Sequence, residues 1–260
     1  MKTDDKRPDP KPRKMRHLWQ AYLNWHELVE MRKRHNLRIS SIEAGKSNMD
    51  AQTERDFLSV MQLDLIIEGG KFSDGTRFIG ANKQMIFWGE DEAGPIWEWV
   101  TSIKGLASGS LAAQLLAQID NIGKFATISK LWRFAGYAVI DGHREHGTQG
   151  EKSHVNKLLS AICWNIADEF VKQQTPIYVD IYYEEKSRLK ELHPEPIPAP
   201  KGSLWKENFT DSHIHRMAMR KAVKIFLANL WLKWREFEGL PVSAPYAAAI
   251  LGHTNIIYPA

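Results

Sequence analysis

Cysteine is almost missing: Cys163 is the single one in 260 residues, so no internal disulfide framework can staple this chain. It lies in LLSAICWNIA, an apolar helical run, and reads as a buried thiol rather than a nucleophile. A lone unpaired thiol points to a reducing, cytoplasmic setting. No uninterrupted apolar stretch approaches the ~20 residues a membrane span needs. The N-terminus is polar and proline-rich, without the apolar centre of a signal peptide. Histidines occur as the pairs His143/His146 and His213/His215, neither with partners at zinc-ligand spacing, so no metal site and no cofactor is expected.

Net charge excludes little, since +4 is weak evidence for a polyanionic partner, but its distribution says more. Residues 1–38 hold eleven Lys or Arg against five Asp or Glu, a balance of +6, which leaves −2 for the other 222 residues. Basic charge gathered at one end suits an arm that meets a polyanion, and equally a solvated tail. An apolar fraction of 43% suits a soluble core, and ten tryptophans make that core aromatic-rich.

The pattern predicts a mostly α protein: an N-terminal helical hairpin, a helical domain containing a helix-hairpin-helix, and a long C-terminal helix. Residues 1–14, with three prolines and mixed charge, read as a disordered basic arm. Residues 15–92 read as the helical hairpin plus an irregular segment. Leu18, Tyr22, Trp25, Leu28 and Val29 set the spacing of its first helix, and a second is expected from Ala51 to Glu68. Residues 71–92 are punctuated by glycine, and Gln84 to Trp88 suit either a short strand or an extended loop. Residues 93–193 form the helix-hairpin-helix domain, with Pro95 in a first turn and a long helix resuming near Ser153, its expected N-cap. Residues 194–210 are a proline-rich linker, and 211–260 a basic and aromatic helix with a tail. That helix should end at Gly239 and Pro241.

Two constellations suit phosphate binding. Lys104-Gly105-Leu106-Ala107-Ser108-Gly109-Ser110 joins two helices; such a turn can aim amides outward, with Ser110 capping the next helix and Lys104 adding a cation. An ordinary helix connection looks the same. Arg216, Arg220 and Lys224 recur at i, i+4 and i+8, a solvent-facing stripe near a helix N-terminus, where the macrodipole disfavours cations. Lys221 lies beside it. Most tryptophans, Trp132 and Trp164 included, fall on core faces.

The ordered motifs from 104 to 137 add a family. Lys104-Gly105-Leu106, Ala112-Ala113-Gln114-Leu115-Leu116, Ile119-Asp120-Asn121-Ile122, Phe125 and Lys130-Leu131-Trp132-Arg133-Phe134-Ala135-Gly136-Tyr137 resemble the C-terminal domain of DEDD-type insertion-sequence transposases, the RNA-bridged recombinases. The likeness runs on through Asn156–Phe170 and residues 213–241, about the last 160 residues. It implies a helix-hairpin-helix that binds DNA during transposition or recombination. Two departures stand out. Ala107 replaces the second hairpin glycine, with Ser108 and Gly109 where a proline follows in the family. The nuclease half is missing, since Asp50, Asp56, Asp64 and Asp74 do not stand at strand ends where two-metal chemistry needs carboxylates to converge. The family's nucleophilic serine has no match in residues 141–152, where Thr148 lies, and no catalytic residue carries over.

The resulting expectation is a transposase-like DNA-binding protein that holds phosphates through Lys104, Gly105, Gly109, Ser110, Lys130, Arg133, Arg216, Arg220 and Lys224 without catalysing cleavage. Structured RNA is an alternative ligand. The N-terminal helices offer a surface for self-association, and no membrane partner is expected. A serine-dependent strand-transfer enzyme using Ser153, working with a separate nuclease, and a helical scaffold are the competing readings.

Overall fold

A first helix whose opening turn lacks a cap of its own must borrow one, and α1 (Arg16–Glu43) borrows from two other helices. The amides of His17 and Leu18 donate to the Glu92 carboxylate at 3.1 and 2.8 Å, and the Met15 amide donates to Asp120 Oδ1 at 3.0 Å. Carboxylates suit that position because they satisfy orphan N–H groups and oppose the positive end of the helix dipole. The computed structural model describes residues 13–71, 75–140, 143–144, 155–194 and 209–242.

Among them the protein is mostly α. After α1 come α2 (Ala51–Met61), α3 (Leu63–Glu68), α4 (Ala81–Ala93), α5 (Pro95–Ser102), α6 (Ser110–Ile119), a 3₁₀ turn (Ile122–Lys124), α7 (Ile128–Ala135), α8 (Lys157–Lys172), α9 (Tyr178–Leu192) and α10 (Asp211–Phe237). Two antiparallel pairs of two-residue strands, β1 (Gly70–Lys71) with β2 (Arg77–Phe78) and β3 (Val139–Ile140) with β4 (His143–Arg144), close short loops.

One hydrophobic core joins the segments. Leu18 and Tyr22 of α1 meet Met85 of α4 and the buried α6 run Ala112–Ala117, and the core continues through Ile166 and Phe170 of α8 to Phe226, Leu230 and Trp234 of α10. Cys163 is fully buried within it, and desolvation drives its thiol pKa up, as an inert side chain requires. Tyr178 of α9 stacks on Phe170 and meets Phe226 edge-on, which fastens α8, α9 and α10 together.

Several expectations need correction. Ala51–Glu68 is two helices, because Gln62 turns into the left-handed region (φ 48°) and caps α2. Gln84–Trp88 is neither strand nor loop but the middle of α4, whose Met85 and Gly89 face inward. Helix α8 opens on Asn156, whose Oδ1 accepts from the Leu159 amide. Ser153 and Thr148 lie outside the described residues, as do the arm 1–12, most of the 194–210 linker and the tail from 243 onward. Pro95 at the first turn of α5 and Gly239 (φ 63°) after α10 stand where their chemistry places them.

Candidate nucleic-acid interface

The nine candidate residues fall on two separate faces. The hairpin face is built by packing. Gly109 takes φ 79°, and a Cβ there would lie 3.1 Å from Ile86 and 3.2 Å from Trp97, so this glycine is buried to let α5 and α6 close on α4. Gly109, not Ser110, is the N-cap of α6. The Ser110 hydroxyl, expected to cap the helix and reach a phosphate, instead donates to Asn82 Oδ1 at 2.8 Å and accepts from Gln114 at 3.3 Å. Gly105 (φ 94°) lies against Glu169, Gln173 and Thr175, and Thr175 Oγ donates to the Lys104 carbonyl at 2.7 Å. The hairpin is thus docked on the turn between α8 and α9. The Lys104 side chain is exposed at its rim.

The second face is built by α7 and α10. Trp132 Nε1 donates to the Lys224 carbonyl at 3.0 Å, and the Lys224 ammonium lies over the Trp132 ring at 4.4 Å. The stripe is therefore graded rather than uniformly solvent-facing: Arg216 is exposed, Arg220 is half-buried, and Lys224 is half-buried against the indole. Burial holds the Lys224 ammonium below its ordinary pKa of 10.5, and the charges of Lys221 and Arg220 press it further down. Lys130 and Arg133 are exposed on α7, Arg133 next to Trp132 in sequence. Lys224 is thus the cation held on the Trp132 ring, with Arg220 and Lys221 near enough on α10 for their charges to act on it.

Helix geometry keeps the two faces apart. At about 100° per residue, Lys224 is turned about 160° from Phe226 and about 140° from Asn229, which meet Tyr178 of α9. The start of α9 therefore lies away from Lys224, while Glu185 further along α9 lies near enough to Lys221 for the lysine's charge to help hold the carboxyl below its ordinary pKa.

Sequence reasoning assigned Trp132 to the core; it is a half-buried platform for a lysine 92 residues away, a pairing without a local signal. It also passed over Arg235. This guanidinium is 5% exposed, donates to the Pro241 carbonyl at 2.8 and 2.7 Å and to the Phe125 carbonyl at 3.2 Å, and ties the end of α10 to the loop before α7. The paired histidines are separated in role: His215 Nδ1 accepts from the Tyr182 hydroxyl (2.8 Å), and His213 lies against Phe209. Among the described residues no group of His, Cys, Asp and Glu is placed to hold a metal ion, and no helix is long and apolar enough to cross a membrane. Compared with protein-family models, with curated proteins and with solved structures, the chain matches none.

Proposed function

We propose that this protein is a transposase-like DNA-binding protein that holds the phosphate backbone on the α7–α10 face and works in transposition or recombination without its own nuclease. The observation that carries the reading is the gathering of Lys224, Lys221 and Arg220 on one side of α10, with Lys224 held over Trp132 of α7. Like charges held together in a partly dry site raise the folded protein's energy, and a polyanion relieves it. Lys224, fixed by its stack on Trp132, pays little further ordering entropy when it meets a phosphate. The order of motifs between 104 and 137, with its likeness to the RNA-bridged transposases, supplies the biological class. The hairpin takes the lesser part, through Lys104 at its rim. A cytoplasmic setting rests on the single reduced Cys163.

Contacts of this kind position a backbone without reading bases, so affinity should depend on salt more than on sequence. The test is fluorescence anisotropy with duplex DNA and structured RNA across a salt series. Binding should weaken as salt rises, with a log–log slope near −0.9 for each phosphate contact on duplex DNA. Arg216→Glu with Lys221→Glu, both at exposed positions, should weaken binding to every sequence alike and reduce the slope by roughly 2. Unchanged affinity and slope in that variant would exclude this face. Tighter binding to RNA would change the ligand but not the face.

A further inference from the structure

The α1–α2 hairpin carries its own chemistry. Helix α1 is 28 residues long, about 42 Å, yet its buried residues, Leu18, Ala21 and Tyr22, all lie in the first two turns. It also packs on α2 and α3, where Glu54, Leu63 and Ile67 are buried, but other apolar side chains of these helices stay partly uncovered. Met31, Ile39 and Ile42 of α1 and Leu58 and Met61 of α2 are half-exposed, while Phe57, tilted against the His35 ring, is 47% exposed. What binds the two limbs is largely polar: Glu54 accepts from His35 and Arg38, Arg32 pairs with Asp64, and Arg55 with Glu43. A two-helix layer with so open a seam is half of a four-helix bundle.

Charge says what closes it. Residues 32–38 of α1 carry Arg32, Lys33, Arg34 and Arg38 with no acid, a net +4. Residues 50–68, covering α2 and α3, carry Asp50, Glu54, Asp56, Asp64 and Glu68 against Arg55, a net −4. The contacts seen for Lys33, Arg34 and Asp56 lie within one turn of their own helices. Nucleic acid would be drawn to one limb and repelled by the other. A second copy related by a two-fold axis sets each basic limb against the partner's acidic one, twice over.

We infer that the hairpin formed by α1, α2 and α3 is a homodimerisation element, closing with a second copy of this chain into an antiparallel four-helix bundle around Phe57. This surface is independent of the α7–α10 face and stands or falls separately.

Analytical ultracentrifugation of the full chain tests it. The wild type should dimerise, and more weakly as salt screens exposed charges over about 8 Å at physiological ionic strength. Lys33→Glu with Arg34→Glu takes the basic limb from +4 to 0, and Asp56→Lys with Glu68→Lys takes the acidic limb from −4 to 0. Each double variant should self-associate more weakly than the wild type, with helicity kept. The two mixed should form a heterodimer in preference to either homodimer, because one limb pair then keeps its full opposite charge while neither homodimer has any. As a reading on the unaltered protein, hydrogen exchange in residues 28–66 should slow as concentration rises through the association range. A wild type that stays monomeric at its highest soluble concentration, double variants that self-associate as tightly as the wild type, or concentration-dependent protection elsewhere in the chain would each overturn the inference.

Discussion

Removing the Glu92 carboxylate tests how α1 is held to the body. Glu92 closes the end of α4, and its two oxygens take the His17 and Leu18 amides while His17 Nδ1 lies 2.7 Å away. In Glu92→Ala the Leu18 amide, on a residue with no exposed surface, loses its partner in a dry site, at about 1–3 kcal/mol. The His17 amide, on an exposed residue, exchanges its bond for water at roughly 0.5 kcal/mol. Loss of the negative charge beside the helix N-terminus adds about 0.5 kcal/mol. The sum, about 3 kcal/mol, corresponds to a fall in Tm of roughly 6–12 °C for a chain of this size. Glu92→Gln keeps one carbonyl acceptor for the buried amide and should lose only about 1 kcal/mol. Urea unfolding followed by far-UV circular dichroism measures both, provided the transition is two-state. An alanine variant within about 0.5 kcal/mol of wild type would refute trans-capping as the anchor of α1. Equal losses for Ala and Gln would show that charge, not the hydrogen bond, does the holding.

Three further outcomes are expected. Gly109→Ala combines a left-handed backbone with a Cβ 3.1–3.2 Å from Ile86 and Trp97, and should destabilise by about 2–4 kcal/mol in the same urea assay. Arg235→Met removes both donors of the Pro241 carbonyl and leaves the Phe125 carbonyl with Trp231 Nε1 alone, and should cost about 1–3 kcal/mol, with faster exchange of amides around residues 239–242. For His215, burial first and then the charge of Lys186 hold the imidazole pKa below its ordinary 6.5. Its folded pKa is thus below the unfolded one, so its contribution is full above pH 6.5 and is lost as pH falls through the folded value. NMR titration should place His215 below the reference histidine value, and His215→Gln should flatten the acid side of the stability profile; a normal titration midpoint would contradict the neutral Tyr182–His215 contact.

Much of the architecture was legible because it rests on local chemistry. The stop after α10 needed only Gly239 and Pro241, and the start of α5 only Pro95. The burial of Cys163 followed from its neighbours along one helix. Segments whose conformation depends on distant partners were misread. The glycine-punctuated run 71–92 looked irregular, yet Met85 and Gly89 within it are buried against neighbouring helices and α4 forms there. Ser110 had the right identity and position for a cap, but Asn82, 28 residues earlier in the chain, claims its hydroxyl.

The same division runs through the candidate interface. Sequence alone determined that a cationic stripe exists on α10, because 3.6-residue periodicity aligns positions 216, 220 and 224 on any helix. Only the tertiary structure decided that Lys224 is pinned over Trp132 of α7 and that the glycine hairpin is docked on the α8–α9 turn. Spacing along a chain fixes which side chains share one helix face. Which faces meet is settled by how the buried apolar surfaces of several helices fit together, and no local run of residues encodes that.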